Sequence, residues 1–237
     1  MVARILLLTG WLLLPVVALA WHFGPGQDQK ALDDVSRHLR EAERSAKGDD
    51  YSSAIEEYDE ALKALPEGRL TESRQIRLEK AKAQMLSKRL PEAHEDLRGL
   101  VDEMAADSST DPKLLADARS SLANAQHYTT WLMRLEGLGR EDWEPEIEAA
   151  RQTFKLLGEE AEKRGDKTAA KKHQEDLEAS IRLARMDLSE LQGLNLPKQC
   201  KGCCSCKSRK VGKKPVPPKS NDIRSAGGSP PIDDSGH

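Results

Sequence analysis

A helical hairpin that recurs at a fixed spacing constrains this chain more than any other feature. Leu39, Ala42, Ala46, Tyr51, Ala54, Tyr58, Ala61 and Leu62 become Leu78, Ala81, Met85, Leu90, Ala93, Leu97, Leu100 and Val101 after one shift of 39 residues. The intervening break also falls in place, because residues 48–50 map onto residues 87–89. Within the first copy, Leu32, Val35, Leu39, Ala42 and Ala46 step by three and four along one helical face. Asp50 is a suitable N-cap for a second helix carrying Tyr51, Ala54, Ile55, Tyr58, Ala61, Leu62 and Leu65, which Pro66 and Gly68 end. A hairpin of this size cannot bury its apolar face alone, so a repeat of it implies stacking on its neighbour.

The second helix of the first copy carries a family pattern. Tyr51, the small Ala54, the aromatic Tyr58 four residues later, the Ala61-Leu62 pair and the closing Pro66 stand at the spacing of a tetratricopeptide repeat's second helix, which segment 51–66 therefore resembles. Small residues let the two helices of a hairpin approach closely, and the aromatic fills the groove between hairpins. The first helix departs from the family, with Ser45 where it often has Tyr and Ala42 in place of the usual Gly; in the second copy Ala105 replaces the closing Pro. The family period is about 34 residues, so a period of 39 implies a longer connection, which residues 67–73 can supply. The resemblance implies an array whose concave surface holds a peptide or protein partner.

Beyond Asp107 the 39-residue register is lost while helical faces continue. Asp111-Pro112 opens a helix carrying Leu115, Ala118, Leu122, Ala125, Leu132 and Leu135, ended by Gly137 and Gly139. Glu144-Pro145 opens another through Ile147, Ala150, Phe154, Leu157 and Ala161, and a last helix carries Leu177, Ile181, Ala184, Leu188 and Leu191. The expected fold class is therefore all-α: a tetratricopeptide-like α-solenoid of about three hairpins plus a C-terminal capping helix, over residues 29–192. Phe, Tyr and Trp number only nine in 237 residues, which argues against an all-β sandwich.

The two ends differ in kind from this body. Residues 5–20 form an uncharged apolar run behind Arg4, and Ala18-Leu19-Ala20 offers small residues for signal cleavage. Residues 1–23 fit either a cleaved signal peptide or a retained transmembrane anchor, and both engage the membrane and place the body on its far side. Residues 195–237, rich in Lys, Pro, Ser and Gly, are expected to be disordered. The net charge of -3 is a cancellation, since residues 198–219 alone carry +8 and the first 197 residues -9. The basic stretch has no aromatic residue, so base stacking on nucleic acid has no support.

All four cysteines fall within seven residues, Cys200, Cys203, Cys204 and Cys206. Four thiolates make a complete soft ligand set for zinc or another soft metal, and the crowding suits loose or multinuclear binding. Local disulfides, acylation, or no role at all are the competing readings. The six histidines are scattered without an H-E-x-x-H pattern, and no nucleophile-elbow, phosphate-loop or dinucleotide glycine motif occurs. His127, Tyr128, Trp131 and Trp143 read as packing residues between hairpins or as the lining of a pocket. Two functions follow as expectations: a non-enzymatic, membrane-tethered or exported scaffold for a protein partner, and metal or thiol-redox chemistry in the cysteine cluster.

Overall fold

The computed structural model describes residues 25–194, with side chains from Asp28 onward, and Trp11 outside that range. The chain divides into two units, Met1–Gly202 and Cys203–His237; all the described residues belong to the first. They form eight helices: α1 Pro25–Lys47, α2 Tyr51–Ala64, α3 Leu70–Leu86, α4 Leu90–Ala106, α5 Pro112–Leu135, α6 Arg140–Lys163, α7 Lys167–Arg185 and α8 Leu188–Gln192. Successive helices pack as antiparallel pairs, so the all-α class is correct. None of these helices is long and apolar enough to cross a membrane. The proposed signal or anchor and the basic, cysteine-bearing tail lie outside the described residues.

The turns explain why the hairpin repeats. Residues 48–50 and 87–89 connect α1 to α2 and α3 to α4, and the middle residue of each, Asp49 (φ 61°) and Lys88 (φ 67°), is left-handed. In both, the residue after the left-handed one donates its backbone N–H five residues back, Asp50 to Ser45 and Arg89 to Gln84, which satisfies a carbonyl the helix end would leave bare. The same turn returns at residues 164–166, with Gly165 at φ 75° and Asp166 donating to Ala161. The register lost in the sequence beyond Asp107 is thus recovered in the backbone as an α6–α7 hairpin. Its signal was hidden because α5 and α6, at 24 residues each, displace the side-chain pattern.

Of the residues expected to lengthen the connection, 67–69 do lie in it and 70–73 are helical instead. The α2–α3 link is residues 65–69, and Leu70 already begins α3, so the 39 residues from Asp49 to Lys88 are made up chiefly by the 14 residues of α2 and the 17 of α3. α1 begins at Pro25 rather than near Gln29, and a proline in the first turn forfeits only an N–H that has no helical partner. α6 begins at Arg140 rather than Glu144, with Glu141 and Asp142 favouring its N-terminus. Pro145 is tolerated one turn in, at the loss of one helical hydrogen bond. The expected last helix is two, because Met186 is extended (ψ 145°) and Asp187 opens α8 with a reciprocal capping box to Glu190.

The core is a chain of adjoining clusters rather than one centre. Val35, Ala42, Ala54, Ile55, Tyr58, Ala61, Ile76 and Ala83 join α1, α2 and α3. Leu78, Ala81, Leu97, Leu100, Ala118 and their neighbours join α3, α4 and α5. Trp131, Ile147, Leu183 and Leu191 join α5 to α8. The repeat-related pairs Ala42/Ala81, Ala54/Ala93, Tyr58/Leu97 and Ala61/Leu100 are buried in both copies, so the shift of 39 marks equivalent packing positions.

Buried charge fixes the α3–α4 pair. The guanidinium of Arg74 donates to Glu103 (2.9 Å), Asp107 (2.7 Å) and the Thr110 hydroxyl (3.1 Å), tying α3 to the end of α4 and the following link. Asp107 is held down at about 2 by hydrogen bonds from Ser109 and then by Arg74.

Candidate partner-binding clefts

Between α1 and α3, above α2, lies a cleft of about 490 Å³. Its walls and floor are the outer edge of the first core cluster: Leu32, Val35 and Leu39 from α1, Ile76 from α3, and Tyr58 and Leu65 from α2 and its end. The α-helical period that turns Val35, Ala42 and Ile76 inward leaves Leu32 and Leu39 only partly covered. A hydrogen bond and an ion pair lock both walls to the floor. His38 Nδ1 meets Glu57 at 2.6 Å across α1 and α2, and Lys80 Nζ donates to Asp59 at 2.6 Å across α3 and α2. The Asp50 cap sets where α2 begins, accepting from the Ser53 N–H at 3.1 Å; the Ser53 side chain first and then its N–H hold the Asp50 carboxyl below the usual range. Tyr58 is pushed up to about 12, first by burial and then by Glu79 and Glu43.

A second cleft of about 480 Å³ lies between α4 and α6 over α5, with Leu90, Leu132 and Met133 among its lining. Glu146 of α6 closes part of it by meeting His94 Nε2 at 3.0 Å and accepting from Arg98 at 2.8 Å, both from α4. His94, Arg98 and Glu146 are thus spent on each other, while Glu95 and Glu136 also line this cleft.

The aromatic and histidine residues read as packing or pocket lining mostly hold helices together. His127 sits 3.1 Å from the Ser180 hydroxyl, and Ser180 itself donates to the Asp176 carbonyl at 2.9 Å. His127 must then donate through Nδ1, as a neutral ring; burial pushes it down to about 4. Ser180 is fully buried, so this serine–imidazole contact is a joint between α5 and α7, closed to a substrate. Trp131 is in the α5–α8 core, Tyr128 packs against the α3–α5 core, and Trp143 lies under the guanidinium of Arg134 at 4.7 Å. Trp143 also borders a small cavity of about 180 Å³ with Arg140, Ile147 and Arg151.

Cys200, Cys203, Cys204 and Cys206 lie outside the described residues, and among the described residues no group of three or more His, Cys, Asp or Glu is placed to hold a metal ion. Sequence reasoning assigned no partner-contact residues. The available signal was a carboxylate one turn from each apolar wall residue, Glu43 after Leu39, and Glu72 and Glu79 on either side of Ile76, but only the placement of α1 beside α3 brings them to one rim. No protein-family model matches the chain, and neither a curated protein nor a solved structure matches it.

Proposed function

We propose that the chain is a non-enzymatic protein-interaction scaffold, a tetratricopeptide-like α-solenoid tethered to or exported across a membrane by residues 1–23, which holds a partner peptide in the α1–α3 cleft. The observation that carries this reading is the coincidence of the 39-residue shift with identical left-handed turns at Asp49 and Lys88 and with an apolar cleft between the first helices of the two hairpins. Equivalent hairpins stacked in sequence generate such grooves between like helices, and extended binding surfaces are the ordinary use of repeat arrays. The expected result is that full-length chain in neutral detergent selects a common sequence motif from a random peptide library. Replacing Leu39 in the cleft by Glu abolishes that selection while helical content is retained. Selection of no motif, or one indifferent to this replacement, rejects the reading.

A second reading rests on the four cysteines packed into residues 200–206, a density that supports soft-metal binding or thiol redox chemistry. Chain purified without oxygen is expected to retain zinc when supplied with it, and serine replacement of all four cysteines removes that metal. Four freely titrating thiols with no retained metal exclude it.

A further inference from the structure

The α1–α3 cleft is electrostatically one-sided. Its ionisable lining apart from Tyr58 is Glu43, Glu72 and Glu79, and among the described residues no Lys, Arg or His lines it. Each carboxylate has one cation on or beside its own helix, Lys47 at 3.6 Å, Arg69 at 2.8 Å and Lys82 at 2.9 Å. The pairs at Glu43 and Glu72 are turn-spaced and solvent-exposed, so they hold little energy; Lys82 is largely buried and divides its donors between Glu79 and Asp117, and all three carboxylates keep acceptor positions open. At the base of the cleft stands Tyr58, only 6% exposed and without a hydrogen-bond partner among the described residues. A phenol so placed offers an acceptor oxygen. The rise of Tyr58 toward about 12, caused in part by Glu79 and Glu43, reports that both carboxylates project negative potential onto this point.

Resting on the scaffold reading, we infer that this cleft takes an arginine side chain presented by a peptide segment of another protein. Leu32, Val35, Leu39 and Ile76 cover the aliphatic stem, a part of the side chain that prefers apolar surface. The guanidinium head then meets Glu43 and Glu79 and donates to the Tyr58 oxygen. A planar guanidinium suits the site better than an ammonium, because it grips a carboxylate with two parallel hydrogen bonds. An acidic segment would add like charge to three carboxylates. A wholly apolar one would leave the Tyr58 hydroxyl buried and unpaired.

The test is fluorescence-polarisation titration of the full-length chain in neutral detergent with a labelled peptide of alternating Leu and Arg, against the same peptide with Lys or Glu in place of Arg. The Arg peptide is expected to bind at least about tenfold more tightly than the Glu peptide and about threefold more tightly than the Lys peptide. Combined Glu43→Gln and Glu79→Gln weakens the Arg peptide about tenfold, and Tyr58→Phe, which keeps the ring and its packing, about threefold. Combined Glu159→Gln and Glu162→Gln, removing equal charge from α6, leaves binding unchanged. If the Glu43/Glu79 variant does not fold, Tyr58→Phe alone carries the result. Equal binding of the Arg and Glu peptides, or wild-type binding by the cleft variants, overturns the arginine assignment while the scaffold reading stands. Self-association lost in the Glu43/Glu79 variant assigns the cleft to a second copy and likewise overturns it. Failure of every peptide to bind overturns the arginine assignment, and the library selection then decides the scaffold reading separately.

Discussion

Replacing Arg134 by methionine lowers the free energy of unfolding by about 3 kcal/mol. Arg134 is in the last turn of α5 and is 9% exposed. Its guanidinium donates to the backbone carbonyls of Leu183 and Met186, where α7 ends. These carbonyls belong to a helix terminus that supplies no further N–H of its own. The cation also sits at the negative end of the α7 dipole and over the Trp143 ring. Burial pushes the guanidinium downward, with Asp187 opposing that shift. Methionine keeps much of the stem's packing and removes every donor, so the loss reports stranded carbonyls rather than a cavity. Urea unfolding of the full chain is the measurement, with Arg134→Lys expected to recover part of the loss because one ammonium cannot span both carbonyls as the fork does. A methionine variant within about 0.5 kcal/mol of the parent contradicts this account.

Acidification is expected to destabilise the fold well before carboxylates titrate, and His127 is the principal cause. In the unfolded chain its ring takes a proton near 6.5; folded, it resists protonation down to about 4. Between those values the unfolded state binds more protons, so the stabilisation is complete above 6.5 and is lost as pH falls toward 4. The full span is worth about 3 kcal/mol at most. His173, held down by burial and then by Lys172 and Arg164, acts with the same sign. Asp176 is raised by burial and so opposes the trend at the acid end, because the folded carboxyl gains its proton first. Urea midpoints from pH 7 to 4.5 are expected to fall for the parent chain and to fall less steeply for His127→Gln. Parallel pH slopes for the two proteins rule this out.

Much of the architecture was legible because it depends on local chemistry. The step of three and four placed Ala54, Tyr58 and Ala61 on an inward face, the Asp111-Pro112 pair marked the start of α5, and Gly137 its end. Two starts were misplaced because a proline misleads: Pro25 begins α1 and Pro145 lies inside α6; two other breaks have no strong local signal. Met186 interrupts the last helix without glycine or proline, and Leu70 begins α3 without a side-chain cap. α3 also shows why a single apolar stripe under-reads a central helix: Leu78, Ala81 and Met85 face α4 and α5, while Ile76 and Ala83 face α1 and α2. A helix buried on two sides loses the amphipathic contrast by which sequence periodicity is recognised.

The amino-acid sequence by itself determined that this chain is helical, that a 39-residue unit recurs in it, and that its basic excess and its cysteines are segregated to one end. Those properties follow from side-chain period, capping and composition, all of which are local. Only the tertiary structure decided that Glu43, Glu72 and Glu79 share one rim above Tyr58, and that Arg134 closes the end of a helix some 50 positions onward. It also decided that the serine beside His127 is sealed. Such relations depend on which helix lies against which and at what rotation. That is fixed by the close fit of Ala42, Ala54, Ala61 and their partners, a packing property that no single segment of sequence carries.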